Sequence, residues 1–130
     1  KIKREDEMDI NHLPYMTWVD WINNLSRFKY GVHLMPTWAA GTFTLNCAYH
    51  GIPCIGYRGL DTQEQLHPSL SVDYGDVEQA RKLSKKLKDN NFYDKCSTEC
   101  RENYLKSSYR EDRWLDIMKN VIKEIIDGSN

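Results

Sequence analysis

A turn of small residues carries the pattern best suited to holding an anion. Residues 37–42, Thr-Trp-Ala-Ala-Gly-Thr, join a predicted strand at 30–35 to a predicted helix at 43–50. A helix N-terminus offers free N–H groups and partial positive charge, which suit a diphosphate. The alanines and glycine allow a ligand close to the backbone, and Thr42 and Thr44 offer hydroxyl donors. The alternative is that small residues only let the helix pack tightly on a sheet.

The remaining polar residues form no recognisable catalytic set. His33 lies inside a strand pattern and is interpreted as structural, while His50 ends a helix, where a cation is favoured. His12 is the histidine placed best to face a cleft. Asp61 and Glu64 fall in a polar stretch and are interpreted as solvated. No nucleophile elbow, P-loop or dinucleotide-binding glycine motif occurs, so no catalytic residue is assigned.

The cysteines show no metal-binding spacing. Cys47, Cys54, Cys96 and Cys100 contain no CxxC pair, and no histidine stands at zinc-finger distance. We predict reduced thiols in a reducing cytosol, with a metal or redox site as the alternative.

Composition indicates one ordinary domain. The chain has 130 residues, 28% charged and 40% hydrophobic, with a formal net charge of −1. This balance does not favour a nucleic-acid or membrane-surface partner. The apolar runs are far shorter than the roughly 20 residues that span a bilayer, and the polar amino terminus lacks a signal-peptide core. We expect a cytoplasmic fragment of a longer chain.

Periodicity predicts alternating strands and helices. The predicted strands are 8–13, 30–35, 52–57 and 70–72; the predicted helices are 16–25, 43–50, 77–87, 91–108 and 110–127; and 58–69 is predicted to be a polar loop. This order favours an α/β fold, a Rossmann-like parallel sheet flanked by helices. In such a sheet, ligands lie beyond the carboxyl ends of the strands.

Three segments together resemble a family motif. Val32-His33-Leu34-Met35-Pro36, then residues 40–48, Ala-Gly-Thr-Phe-Thr-Leu-Asn-Cys-Ala, then residues 51–56, Gly-Ile-Pro-Cys-Ile-Gly, resemble the donor-site motif of GT-B glycosyltransferases. The resemblance covers roughly residues 8 to 125. It implies that residues 1–130 are a single donor-binding domain, the C-terminal half of a two-domain enzyme.

The resemblance also implies site residues. Ala40, Gly41, Thr42 and Phe43 would surround the donor diphosphate, with Arg58 as the nearest basic partner. Asn46 stands where the family has a Glu that contacts the donor ribose, and Trp38 would stack on the nucleobase. The donor is a nucleotide sugar, and neither a metal nor another cofactor is expected.

One departure leaves a second function class open. The first acid of the family's motif would fall at residues 38–40, where the sequence has Trp-Ala-Ala. The alternative function is therefore a non-catalytic recognition or assembly module with a degenerate donor site.

The last predicted helix implies a further surface. Its apolar stripe is wider than one docking face needs. The resemblance implies that it packs on a missing N-terminal acceptor domain, without which the chain transfers little or no sugar. An isolated chain is expected to expose the stripe or to self-associate through it. The alternative is that the helix buries the whole stripe on its own sheet.

Overall fold

Three short parallel strands form the centre of the fold. The computed structural model describes residues 9–36 and 41–128. The strands are β1 (Gly31–His33), β2 (Cys54–Tyr57) and β3 (Ser71–Val72), hydrogen-bonded in that order. The helices are α1 (Trp18–Leu25), α2 (Thr42–Tyr49), α3 (Asp61–Leu66), α4 (Val77–Lys86), α5 (Asn90–Lys106) and α6 (Glu111–Gly128), and a 3₁₀ turn spans Pro68–Leu70. The predicted α/β class is confirmed, and the arrangement is compatible with a Rossmann-like one.

The middle strand, β2, is buried on both faces. Successive side chains of a strand point to opposite faces, so Cys54 and Ile55 enter different halves of the core. Ile55 packs in a cluster with Leu83 of α4. Cys54 packs in a second cluster with Cys47 of α2 and Leu25 of α1. Burial on both faces is typical of parallel sheets, and it explains why β2 is apolar throughout.

The five predicted helices are confirmed to within two residues at each end, and local signals explain several of these ends. Thr17 caps α1 by accepting a hydrogen bond from the Asp20 N–H, and Asp76 caps α4 by accepting one from the Gln79 N–H. Gly51, with φ of +68°, lies just after α2, where a left-handed residue commonly ends a helix.

The first predicted strand is wrong. Residues 9–17 contain neither strand nor helix, and Ile10 and Leu13 are 45% and 47% exposed. The alternation of apolar and polar residues was real, but a strand also needs a hydrogen-bonded neighbour. The described sheet ends at β1, on which no further strand pairs.

The predicted loop at 58–69 is also partly wrong, because it contains α3. This helix points Thr62, Gln63 and Leu66 into the core. Two of those three side chains are polar, so the buried face is not recognisable as an apolar stripe. Their hydrogen bonds inside the protein, described below, are what makes their burial favourable.

All four cysteines are buried free thiols. A hydrogen bond with the Cys47 thiol, together with burial, raises the pKa of Cys54. Burial raises the pKa of Cys100 to about 12. Thiols with such pKa values stay protonated at neutral pH and react slowly. Within the described ranges, no group of three or more His, Cys, Asp or Glu residues could hold a metal ion.

The last helix, α6, lies apart from the core. None of its 18 residues is buried, and its large apolar side chains are exposed. The alternative in which this helix buries its whole stripe on the sheet is therefore wrong. Among the described residues, no helix combines the length and the apolarity needed to cross a bilayer.

His67 joins β2 to α2 as a neutral imidazole. Its Nδ1 accepts a hydrogen bond from the Cys54 N–H at 3.2 Å, which leaves Nε2 to carry the proton and donate to the Thr44 carbonyl at 2.9 Å. Burial lowers the pKa of His67 to about 4, although the Thr44 carbonyl opposes this change. A second proton would have to displace the Cys54 amide from Nδ1.

We predict that acid weakens the fold through His67. Its pKa is about 6.5 in the unfolded chain and about 4 in the folded one, so the unfolded state binds more protons between these values. The contribution of His67 to the free energy of unfolding is therefore fully present above about pH 6.5. It falls by about 3 kcal/mol as the pH drops to 4. Chemical denaturation from pH 7.5 to 4 measures this loss.

The control for this prediction is His12→Gln, at an exposed histidine, which should keep the full loss. His67→Gln should be less stable at neutral pH but lose less stability on acidification. An equal slope in His67→Gln and wild type would contradict the assignment.

Candidate ligand-binding site at the carboxyl ends of the strands

A cavity of about 330 Å³ opens where the three strands end. Its lining comes from the residues that end or follow β1 (His33, Met35, Pro36), β2 (Tyr57, Arg58, Gly59, Leu60) and β3 (Tyr74), together with Gln63 of α3. The carboxyl edge of an open parallel sheet is where such folds bind ligands. The volume lies at the lower end of the range for small-molecule sites.

Arg58 supplies the cation at the rim of the cavity. Its backbone N–H donates to the Val72 carbonyl at 2.8 Å, which fixes the chain beyond β2 against β3. Its guanidinium lies 2.6 Å from the carboxylate of Asp73, and both side chains are more than half exposed. An exposed ion pair of this kind contributes little to stability. The guanidinium therefore stays available to an anion that enters the cavity.

Aromatic rings line two sides. The rings of Tyr57 and Tyr74 lie 5.3 Å apart and are tilted by 55°. The His33 ring stacks on Phe43, the second residue of α2, with centroids 5.8 Å apart. The rings of His33, Tyr57 and Tyr74 line the cavity and give it surface on which a planar group can pack, whereas Phe43 supports His33 from outside the cavity.

Gln63, which lines the cavity, carries an unsatisfied acceptor. Its Nε2 donates to the Cys54 carbonyl at 2.9 Å, which fixes the orientation of the amide, because a flipped amide would set two oxygens together. Its Oε1 is buried and has no hydrogen-bond partner among the described residues. A buried acceptor without a partner costs roughly 1–3 kcal/mol. A side-chain shift that opened this oxygen to a ligand hydroxyl or N–H in the cavity would remove that cost.

Position 41 requires glycine because a side chain inside the protein, that of Thr62, occupies the space of a Cβ. It precedes α2 with φ of +68°, and a Cβ there would lie 2.0 Å from Oγ1 of Thr62. Its carbonyl also accepts a hydrogen bond from Thr44 at 2.8 Å. The Thr44 hydroxyl is thus engaged in the core and is not available to a ligand. Enlarging Gly41 would disturb α3 before it crowded any anion.

The start of α2 nevertheless lies beside the cavity. Leu60 lines the cavity and would also lie 3.1 Å from a Cβ on Gly41. Thr42 is exposed and Phe43 half-buried, and no acidic residue occupies the first turn. This helix end can therefore face an anion without repulsion. Trp38 and Ala40, also predicted as binding residues, lie outside the described residues.

Asn46 lies in a different cavity. A space of about 280 Å³ between α1, α2 and α5 is lined by Trp18, Ile22, Leu45, Asn46, Tyr49, Tyr104 and Tyr109. The Asn46 side chain is 6% exposed. Arg58 thus lines the first cavity and the start of α2 lies beside that cavity, whereas Asn46 lines the second. The assignment of Asn46 to a ribose stays a prediction.

Sequence reasoning missed several residues of the first cavity. His33 was interpreted as structural, and Tyr57, Gln63 and Tyr74 were given no role. The signal for three of them was available: His33 ends β1, Tyr57 ends β2 and Tyr74 follows β3, so the rule on strand ends places them at one edge. Gln63 gave no such signal, because its helix was not predicted.

Comparison with known proteins adds no family assignment: no family model, curated protein or solved structure matches the chain.

We predict that Gly41→Ala destabilises the fold by about 1–3 kcal/mol, because a left-handed backbone strains an L-residue and the new Cβ meets Thr62. Urea denaturation measures the loss. The control is Gly75→Ala, which has φ of +83° but nothing within 4 Å of the new Cβ, so it carries the backbone strain alone. Equal losses in both variants would show that the Thr62 contact is unimportant.

Proposed function

We propose that this chain is the donor-binding domain of a GT-B glycosyltransferase and that it holds a nucleotide-diphosphate sugar in the cavity at the carboxyl ends of its strands. The observation that carries the proposal is the combination, in one cavity, of a cation, a free acceptor and aromatic rings beside a helix N-terminus. The transfer reaction itself is assigned to an acceptor domain supplied by the rest of a longer enzyme.

The diphosphate is assigned to Arg58 and the start of α2. Arg58 is held at the rim by an exposed ion pair that an incoming anion can replace. The N–H groups of the first helical turn point out of the helix and attract negative charge. Guanidinium groups bind phosphate oxygens in a bidentate manner, so one Arg can both orient the diphosphate and neutralise part of its charge.

The nucleoside is assigned to the tyrosine side of the cavity. Tyr74 is 72% exposed, which leaves its ring free to pack on a base. The buried Oε1 of Gln63 is an acceptor without a partner among the described residues, and both ribose hydroxyls and base N–H groups can donate to it once the side chain turns toward the ligand. Because the cavity is small, the sugar would extend from it toward residues outside.

The proposal gives Asn46 no contact with the diphosphate. Its place in the second cavity is consistent with a ribose contact only if the bound nucleotide reaches both cavities. Asn46→Ala distinguishes the two cases: weaker binding of a nucleotide supports an extended ligand, and unchanged binding confines the ligand to the first cavity.

Calorimetric titration with UDP, GDP, their sugars and inorganic pyrophosphate tests the proposal. We predict that Arg58→Gln weakens binding of all these ligands by roughly 10- to 100-fold, because a charge-assisted hydrogen bond contributes about 1.5–3 kcal/mol. Tyr74→Ala should weaken the binding of the nucleotides but leave the binding of pyrophosphate unchanged, because only a base packs on the ring.

The matched control is Arg81→Gln. Arg81 is also exposed and pairs with Glu78 at 2.6 Å, but it lies on α4 and does not line the cavity. Binding that is equally reduced by both Arg variants would reflect nonspecific charge. Absence of binding by the folded wild type would contradict the proposal and favour the non-catalytic module.

A further inference from the structure

The apolar side of α6 is large and exposed. The helix runs from Glu111 to Gly128, and eight large apolar side chains on it are between 37% and 65% exposed. These residues are Trp114, Leu115, Ile117, Met118, Val121, Ile122, Ile125 and Ile126. At about 100° per residue, seven of them fall on one face, with Ile117 at its margin.

The pattern on this face is symmetric about Asn120. Met118 and Ile122 lie two positions on either side of it, Leu115 and Ile125 lie five, and Trp114 and Ile126 lie six. Reversing the direction of the helix thus maps these six apolar residues onto one another. A two-fold interface has this property, because residue i of one copy contacts residue j of the other and the reverse.

We propose that α6 pairs antiparallel with α6 of a second copy of the chain, with the two-fold axis crossing the helices at the level of Asn120. Leu115, Met118, Ile122 and Ile125 form the seam, at the three-four-three spacing of core positions in coiled coils. In the antiparallel register Met118 of one copy meets Ile122 of the other, and Leu115 meets Ile125.

The exposed area is sufficient for a stable dimer. Eight large apolar side chains that are each about half exposed offer roughly 700 Å², and interfaces of standard size take about 600–1,000 Å² from each partner. An exposed apolar patch of this size is uncommon on a monomer and marks an interaction surface.

The charges of α6 are compatible with this pairing. Arg113, Asp116, Lys123 and Glu124 lie on the side opposite the seam, and Glu111, which is on the seam side, begins the helix beyond the paired residues, so no charge is buried between the helices. Lys119 flanks the seam, where its aliphatic stem can cover apolar surface while the ammonium stays in water. Antiparallel packing also sets the two helix dipoles in opposite directions.

Sedimentation of the full chain over a range of concentrations tests the pairing. We expect a dimer for the wild type and at least 100-fold weaker association for Met118→Lys, which buries a charge at the centre of the seam. The matched control is Asn120→Lys, the same new residue on the polar side, which should still dimerise. Because α6 buries no residue in the monomer, both variants should keep the thermal unfolding of the core.

Disulfide trapping tests the direction of the helices. A mixture of the Met118→Cys and Ile122→Cys variants should cross-link between the two different chains far more than either variant does with itself. The native cysteines are buried and should not interfere. A wild-type monomer at all concentrations, an undiminished Met118→Lys dimer, or self-cross-linking alone would overturn the proposal. None of these results depends on nucleotide binding.

Discussion

The backbone of Cys54 is held from one side by two side chains instead of by a strand. β3 pairs with β2 only at Gly56 and Tyr57, so the start of β2 has no strand neighbour there. Gln63 donates to the Cys54 carbonyl, and His67 accepts from the Cys54 N–H. The two side chains thus complete the ladder that the short β3 leaves unfinished. A buried backbone group left without a partner would be costly, so the sheet depends on them.

This arrangement also shapes the candidate site. Because Nε2 of Gln63 is used by Cys54, its Oε1 must point the other way, against Gly56. A Cβ on Gly56 would lie 2.4 Å from that oxygen, so only glycine leaves room for the amide. The unsatisfied acceptor near the cavity is therefore a consequence of how β2 is held. Fold and site share one side chain here, and a substitution of Gln63 would affect both.

The sequence predicted what local chemistry decides and missed what tertiary contacts decide. Thr17 and Asp76 begin helices through side-chain hydrogen bonds to nearby N–H groups, and the left-handed backbone of Gly51 follows a helix end, so the helix bounds predicted there are confirmed to within two residues. The helix α3 was missed because its buried residues include Thr62 and Gln63, whose partners are distant in sequence. The strand at 8–13 was predicted because its alternation is local, whereas the neighbour it needs is not.

The site was predictable only in part for the same reason. Strand ends fix which residues share an edge, so Arg58 and the start of α2 could be assigned near one another. The reason for glycine at position 41 could not be predicted from the sequence, because the atom that excludes a Cβ there belongs to Thr62, 21 residues away. Likewise, position along α2 did not reveal that Asn46 lies in the second cavity.

Alkylation of the four buried thiols would report when the structure around each of them opens. Cys54 on β2 and Cys47 on α2 share one cluster of the core, Cys100 on α5 lies in another, and each of the three is at most 1% exposed. An alkylating reagent can therefore modify them only when the surrounding structure separates. Modification of Cys47 and Cys54 together would record global unfolding, whereas earlier modification of Cys100 would record detachment of α5 alone. The native sequence thus allows local and global fluctuations to be distinguished by mass spectrometry without introducing a probe.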